Sequence, residues 1–294
     1  MKDMDLALEV NNVTKTFDGF QLKNISINVP KGTIMGFVGQ NGSGKTTTIK
    51  TLINIYQPDS GEIKLFGLDL KTHEKEIKER IAVIFDELPF SSSLTVSSLN
   101  IILKTMFKKW NSNLFYEYIK RFNLPTKKKI GTFSKGMKMK LQIAVGLSHE
   151  AELLIMDEAT SGLDPVVRSE MLDIFLEYLQ DETHSIFMSS HITSDLERIA
   201  DSITFIHNGM IILSGDKNDI LDNHRIIKCK KEDREKIAEE DIISVRNLEF
   251  GLDILVNNYP SIKNKYQDFD IEKSNLDEIL LFYVKGKQNK EWSI

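Results

Sequence analysis

Cysteine is almost absent from this chain. Of 294 residues only Cys229 is one, so no disulfide can form within the chain and a reducing compartment fits. Long apolar runs are absent too. None approaches the roughly 18 residues of a membrane-spanning helix, so any membrane role is expected to come through a partner. A positive surplus is also lacking: 38 Lys and Arg stand against 43 Asp and Glu, a formal net charge of −5, which argues against nucleic acid as the main partner. The amino end is charged and has no apolar core, so no secretory signal is expected. The length suits one large domain or two smaller ones.

What is present is a glycine-rich loop, Gly39-Gln40-Asn41-Gly42-Ser43-Gly44-Lys45-Thr46-Thr47. It fits the phosphate-binding pattern G-x-x-x-x-G-K-[ST] without a mismatch. Residues 33–38 ahead of it read as a short buried strand and residues 46–53 after it as a helix, which is the context the motif needs. Gly39, Gly42 and Gly44 let the backbone curl until successive N–H groups point inward, and that nest binds anions. The helix start adds its positive dipole end. Lys45 supplies a full charge to the β- and γ-phosphates, and the Thr46 hydroxyl is placed to ligate Mg²⁺.

Around this loop the chain alternates strands and helices. Residues 6–13 read as a first strand, 16–19 as a turn that holds Phe17, and 25–29 as a half-buried strand with strict alternation. A strand over 62–66, a helix over 75–80 and a short apolar strand over 81–85 follow. From 94 to 148 the periodicity turns helical, which predicts an all-helical insertion. Within it residues 104–140 hold eleven Lys or Arg against one acid, Glu117, either a solvated basic face or a surface near anionic lipid headgroups. Residues 153–156 form the continuous apolar run of a central strand buried on both faces. Pro165 then suits a first helical position, and Leu172, Phe175, Leu176 and Leu179 give a core-facing stripe. A strand over 185–188 leads to His191, and Asn208-Gly209 predicts a hairpin between 202–207 and 210–213. From about His224 the chain reads as an appendage, with strands over 225–230 and 242–245 and a charged helix over 231–239. A last helix carries Leu276, Ile279, Leu280, Tyr283 and Val284, with Ser274 and Asp277 as its capping box and Gly286 as its stop. The expected domains are 1–222, with its helical part at about 94–148, and 223–294.

A phosphate loop alone implies only a nucleoside triphosphate. Asp157-Glu158, at the end of an apolar strand, adds chemistry: Asp157 can hold the Mg²⁺ shell, and Glu158 can polarise a water for attack on the γ-phosphate. Residues 133–137, Phe-Ser-Lys-Gly-Met, open a helix, with Ser134 a good N-cap and Gly136 leaving bare backbone N–H groups. That makes a second phosphate site, which makes sense if it serves another molecule's ATP.

With these motifs in view, the chain resembles the ATP-binding cassette subunit of an ABC transporter. Residues 39–47 match the Walker A motif, 153–158 the Walker B motif, and 133–137 the signature motif LSGGQ at Ser134 and Gly136. Residues 161–164, Ser-Gly-Leu-Asp, match the D-loop, His191 the switch histidine, and Phe17 an aromatic residue that stacks on adenine. The match runs over about 6–215 in the family's order and spacing. It implies an α/β P-loop NTPase (RecA-like) core with an antiparallel β-subdomain, a helical subdomain and a small α+β C-terminal appendage. It also implies a head-to-tail dimer, homo- or heterodimeric, with two ATP and Mg²⁺ sandwiched between one subunit's Walker A and the other's signature helix. His191 would contact the γ-phosphate and hold the attacking water with Glu158. The implied setting is the cytoplasmic face of the cell membrane, bound through a transmembrane permease whose coupling helix meets residues 87–96.

The pattern is broken at four positions. Phe133, Lys135 and Met137 replace leucine, glycine and glutamine in the signature, as in exporters whose ATPase is separate from the membrane subunit. Asp86 stands where the family keeps the Q-loop glutamine, and as a hard oxygen ligand it could reach the Mg²⁺ shell. Residues 276–286 resemble the closing segment of this exporter branch, and overall similarity extends to exporters of amphipathic peptides such as phenol-soluble modulins. The alternative is a soluble non-transport cassette of the repair or iron–sulfur type. No heptad run separates Gly44 from Ser134, as a repair-type coiled coil would, and one Walker A motif argues against a translation factor.

Overall fold

A computed structural model describes residues 5–288; residues 1–4 and 289–294, the outermost parts of the two expected domains, lie outside the described residues. The amino-terminal part is β1 (Leu6–Phe17), β2 (Phe20–Pro30), β3 (Ile34–Val38), α1 (Lys45–Leu52), β4 (Ser60–Leu65), β5 (Leu68–Asp69), α2 (Glu74–Arg80) and β6 (Ile81–Ile84). The helical insertion is α3 (Val96–Met106), α4 (Ser112–Arg121) and α5 (Lys135–Leu147). The core then resumes with β7 (Leu153–Asp157), α6 (Pro165–Tyr178), β8 (Ser185–Ser190), α7 (Thr193–Ile199), β9 (Ser202–His207), β10 (Met210–Asp216) and α8 (Lys217–Asn223). Last come β11 (Arg225–Cys229), β12 (Ile242–Asn247), β13 (Leu252–Val256), α9 (Tyr259–Ile262), β14 (Asp270–Lys273), α10 (Leu276–Lys285) and β15 (Lys287–Gln288).

A six-stranded sheet in the order β10-β9-β3-β8-β7-β6 carries the centre, with β9-β3-β8-β7-β6 parallel and the β9–β10 hairpin at one edge. Every residue of β3, β7 and β8 is buried, as central strands covered on both faces are. The parallel strands send the loops after β3, β6, β7 and β8 out at the same edge, where open α/β sheets bind ligands. An antiparallel sheet, β2-β1-β4-β5, packs over α1 through Leu22 and, on alternating positions of β2, Ile25, Ile27 and Val29. β1 runs on to Phe17, so the turn is confined to Asp18-Gly19 and Phe17 ends a strand instead of sitting in the turn.

The helical insertion falls where its periodicity put it, but its basic stretch is not a uniform face. Lys109, Arg121, Lys135 and Lys140 pair with Glu150, Glu177, Asp86 and Glu170, acids that approach from outside the stretch. On α6 the buried stripe is Met171, Leu172, Ile174 and Phe175, while Leu176 is exposed. The helix is rotated toward Tyr178, whose hydroxyl donates to the Ala151 carbonyl at 2.6 Å.

The appendage is a five-stranded antiparallel sheet, β14-β11-β13-β12-β15, with β13 and β14 unanticipated by the sequence reading. The charged helix expected over 231–239 is instead two 3-10 turns, Lys231–Lys236 and Glu239–Asp241, neither of which buries a residue. A run without an apolar stripe has nothing to press against the sheet. The capping box of α10 lies one residue later than expected: Asn275 accepts from the Glu278 N–H at 2.9 Å, and Glu278 accepts from the Asn275 N–H at 3.0 Å. Ser274 turns inward and donates to the His224 carbonyl at 3.0 Å. Leu276, Ile279, Leu280 and Phe282 join the main core, so α10 ties the appendage to the rest of the chain.

Candidate nucleotide site

The loop after β3 is built by its glycines. A Cβ on Gly39 would lie 2.4 Å from Ser43 Oγ and 2.5 Å from the Ile206 carbonyl, and Gly44 has φ +116, a conformation closed to other residues. Gly44 places α1, whose first residue is Lys45. The Lys45 ammonium, 6 % exposed, donates to the carbonyls of Gly39 at 2.6 Å and Gln40 at 3.2 Å and pairs with Glu158 Oε1 at 3.1 Å. Ser43 Oγ is buried in the same loop with no hydrogen-bond partner among the described residues. A cradle with a buried cation, a free hydroxyl and glycines that Cβ atoms would obstruct fits an anion.

Asp157 closes β7 and is held between two hydroxyls. Thr46 Oγ1 donates to its Oδ2 at 2.7 Å, and Ser189 Oγ at the end of β8 donates to its Oδ1 at 2.7 Å. Glu158 follows in a left-handed conformation, φ 55, which costs an L-residue roughly 1–2 kcal/mol. Its N–H donates to the carbonyl of Ser189 at 3.1 Å and to its hydroxyl at 3.2 Å, which fixes the bend. The bend turns the carboxylate toward Lys45 on one oxygen and His191 Nδ1 on the other. With Nδ1–H donating to Glu158, His191 keeps Nε2 for a further partner.

These groups face one open cleft of about 800 Å³, lined by Asn41, Gly42, Gly44, Lys45, Thr46, Thr47, Asp86, Asp157, Glu158 and His191. Phe17, Phe20 and Tyr56 add aromatic rings to its lining, with Tyr56 edge-on to Phe17 at 5.0 Å between centroids. Gly39, Gln40 and Ser43 belong to the same loop but do not line the cleft. Ser134 and Gly136 do not line this cleft. Ser134 is exposed, caps α5 by accepting from the Met137 N–H at 3.2 Å, and presents that helix start to the outside. Asp86 does line the cleft, with its carboxylate in an ion pair with Lys135. Three residues escaped the sequence reading. Ser189 is a buried polar residue at a strand end, a detectable signal; Phe20 and Tyr56 have none, because aromatic residues beside a turn or a helix are common in cores.

Comparison with known proteins agrees with this geometry. The ABC transporter family model matches residues 22–161. The bacitracin transport ATP-binding protein BcrA of Bacillus licheniformis is 37% identical over 212 residues, covering 71% of this chain and 69% of that protein. The lantibiotic transport ATP-binding protein SrtF of Streptococcus pyogenes is 34% identical over 209 residues, covering 70% of this chain and 89% of that protein. A solved structure of the ATP-binding subunit of an ABC transporter superimposes with a TM-score of 0.67 at 27% identity, covering 73% of this chain and 91% of that one. By these similarities the chain belongs to the ABC transporter family as an ATP-binding, ATP-hydrolysing subunit.

Proposed function

We propose that the chain drives a bacterial exporter through a separate transmembrane permease, at the cytoplasmic face of the cell membrane. The observation that carries this is a second cleft, of about 710 Å³, walled by the segment after α1, by α2, α3 and α5, and by β6 with the loop after it. Ile55, Phe85, Phe90, Met106 and Phe107 line it, and Ile55 and Met106 are 56% and 63% exposed. Large exposed apolar side chains in a groove suit a docking helix. Phe85 lines this groove and Asp86 the nucleotide cleft, so the two sites are joined by one peptide bond. Among the described residues no helix is long and apolar enough to cross a membrane. The names of the bacitracin and lantibiotic transport relatives support amphipathic peptides as the cargo class. Residues 1–222 act as the ATPase domain and 223–294 as its accessory.

In the site, the loop from Gly39 to Thr47 and Lys45 hold the phosphates, and Phe17 stacks on the base. Thr46 and Asp157 offer two hard oxygens side by side, which fits Mg²⁺. The ion would neutralise phosphate charge when bound. We leave Asp86 out of its ligands because a cation already occupies that carboxylate. Glu158 accepts a proton from, or orients, the attacking water, and His191 holds Glu158 in place. Ser134 and Gly136, outside their own cleft, serve a second ATPase subunit.

Crosslinked membranes of cells expressing the tagged chain test this reading. A polytopic membrane protein should co-purify, and Ile55→Glu with Met106→Glu should abolish its capture while ATP still binds. A chain that never meets a membrane protein would favour the soluble, non-transport alternative.

A further inference from the structure

Two of the departures from the family pattern meet in space. Asp86, in the Q-loop glutamine's place, and Lys135, in place of a signature glycine, form an ion pair within one chain. Lys135 is the first residue of α5, where a cation opposes the helix dipole, so its placement needs a compensating anion. The side chain lies over Gly162: a Cβ there would be 3.1 Å from the ammonium and 3.6 Å from Cδ and Cε. Farther along the same helix, buried Gln142 clamps the residue before Asp86, donating to the Phe85 carbonyl at 3.0 Å and accepting from the Phe85 N–H at 3.2 Å. α5 thus fixes both the backbone beside Asp86 and its charge.

Asp86 lines the cleft that must receive a polyanion. An uncompensated carboxylate there repels phosphates, and the Gln142 clamp hinders it from swinging away. We propose that Lys135 is a positioning residue for its own chain's nucleotide site: it holds and neutralises Asp86 at the cleft wall so that the phosphates can enter. The signature segment then has two roles. Ser134 and Gly136 face a partner's ATP, while Lys135 reaches back to its own. This rests on the nucleotide reading above and adds a charge relation to it.

The test measures the affinity of dilute, monomeric full-length protein for a fluorescent ADP analogue, with and without Mg²⁺, at low and high salt. ADP in a monomer removes any contribution from a partner's helix. Lys135→Met should weaken binding about two- to fivefold at low salt, the range of a half-exposed ion pair, and the loss should shrink at high salt. Asp86→Asn in the Lys135→Met background should restore wild-type affinity, a rescue that a purely structural role would not give. Asp86→Asn alone should bind at least as well as wild type. Unchanged affinity in Lys135→Met, or no rescue by the double substitution, overturns the proposal. So does a Mg²⁺-dependent loss in Asp86→Asn alone, which would return Asp86 to the metal shell. If wild type itself fails to bind ADP, the nucleotide reading fails first.

Discussion

Replacing Glu158 by Gln isolates the chemical step. Glu158 touches two groups whose needs differ. Lys45, 6 % exposed, has Glu158 as its counter-ion at 3.1 Å, and His191 donates to the other oxygen. Phosphates entering the cradle must take Lys45 from Glu158, so the carboxylate competes with the ligand. The amide keeps an oxygen for His191 and the size of the side chain, but loses the charge. Turnover should therefore fall by the worth of a general base, about 10²- to 10⁴-fold, or roughly 3–5 kcal/mol of barrier. Affinity for Mg-ATP should hold or rise. Stability should move the other way: Lys45 keeps the Gly39 and Gln40 carbonyls but loses its counter-ion, at a cost of about 1–3 kcal/mol. Without nucleotide the variant should melt below wild type, and Mg-ATP should raise its melting temperature by more than it raises that of wild type. Steady-state ATPase, equilibrium binding and thermal melts measure the three quantities, and size-exclusion chromatography with Mg-ATP should show a trapped dimer. Hydrolysis at the wild-type rate would remove Glu158 from the base role, and weaker ATP binding would refute the competition argument.

Other consequences can be measured independently. Mixing Lys45→Ala with Ser134→Arg subunits gathers both defects in one composite site and leaves the other intact, so activity should return on mixing; inactive mixed dimers would confine Ser134 to its own chain. Phe17→Ala should weaken ATP binding by roughly 1 kcal/mol or more while leaving tripolyphosphate affinity unchanged, because the Phe17 ring in the cleft lining offers a base a stacking face and a phosphate no hydrogen bond. His224 sits buried between α8 and α10, and burial lowers its pKa from the ordinary value near 6.5. Its Nδ1–H donates to the Ile220 carbonyl at 2.7 Å and its Nε2 meets the hydroxyl of Tyr283, whose own pKa burial raises to about 12. In the window between the lowered value and 6.5 the unfolded chain binds more protons than the folded one, so stability should drop as pH falls through it. In denaturant melts the stability gap between wild type and His224→Gln should narrow as pH falls through that window, and a constant gap at every pH would refute the linkage.

The sequence determined by itself whatever depends on neighbours along the chain. The loop from Gly39 to Thr47 was legible because strand, glycine turn and helix N-terminus are consecutive, and their backbone geometry makes the phosphate nest. The apolar run of β7 and the Asn208-Gly209 turn were legible for the same reason. Local signals failed where packing chose among near-equal options. Asn275 took the capping role because Ser274 was drawn to the His224 carbonyl, and α6 rotated Leu176 outward as Tyr178 found Ala151. Short strands such as β13 and β14 gain their stability from cross-strand partners, which no window of sequence displays. Only the tertiary structure decided that Glu158 turns back to Lys45 and His191, because that bend depends on Ser189 in another strand. It alone also joined Asp86 to Lys135: two departures that look unrelated along the chain become one ion pair, since charges attract through space and not through sequence.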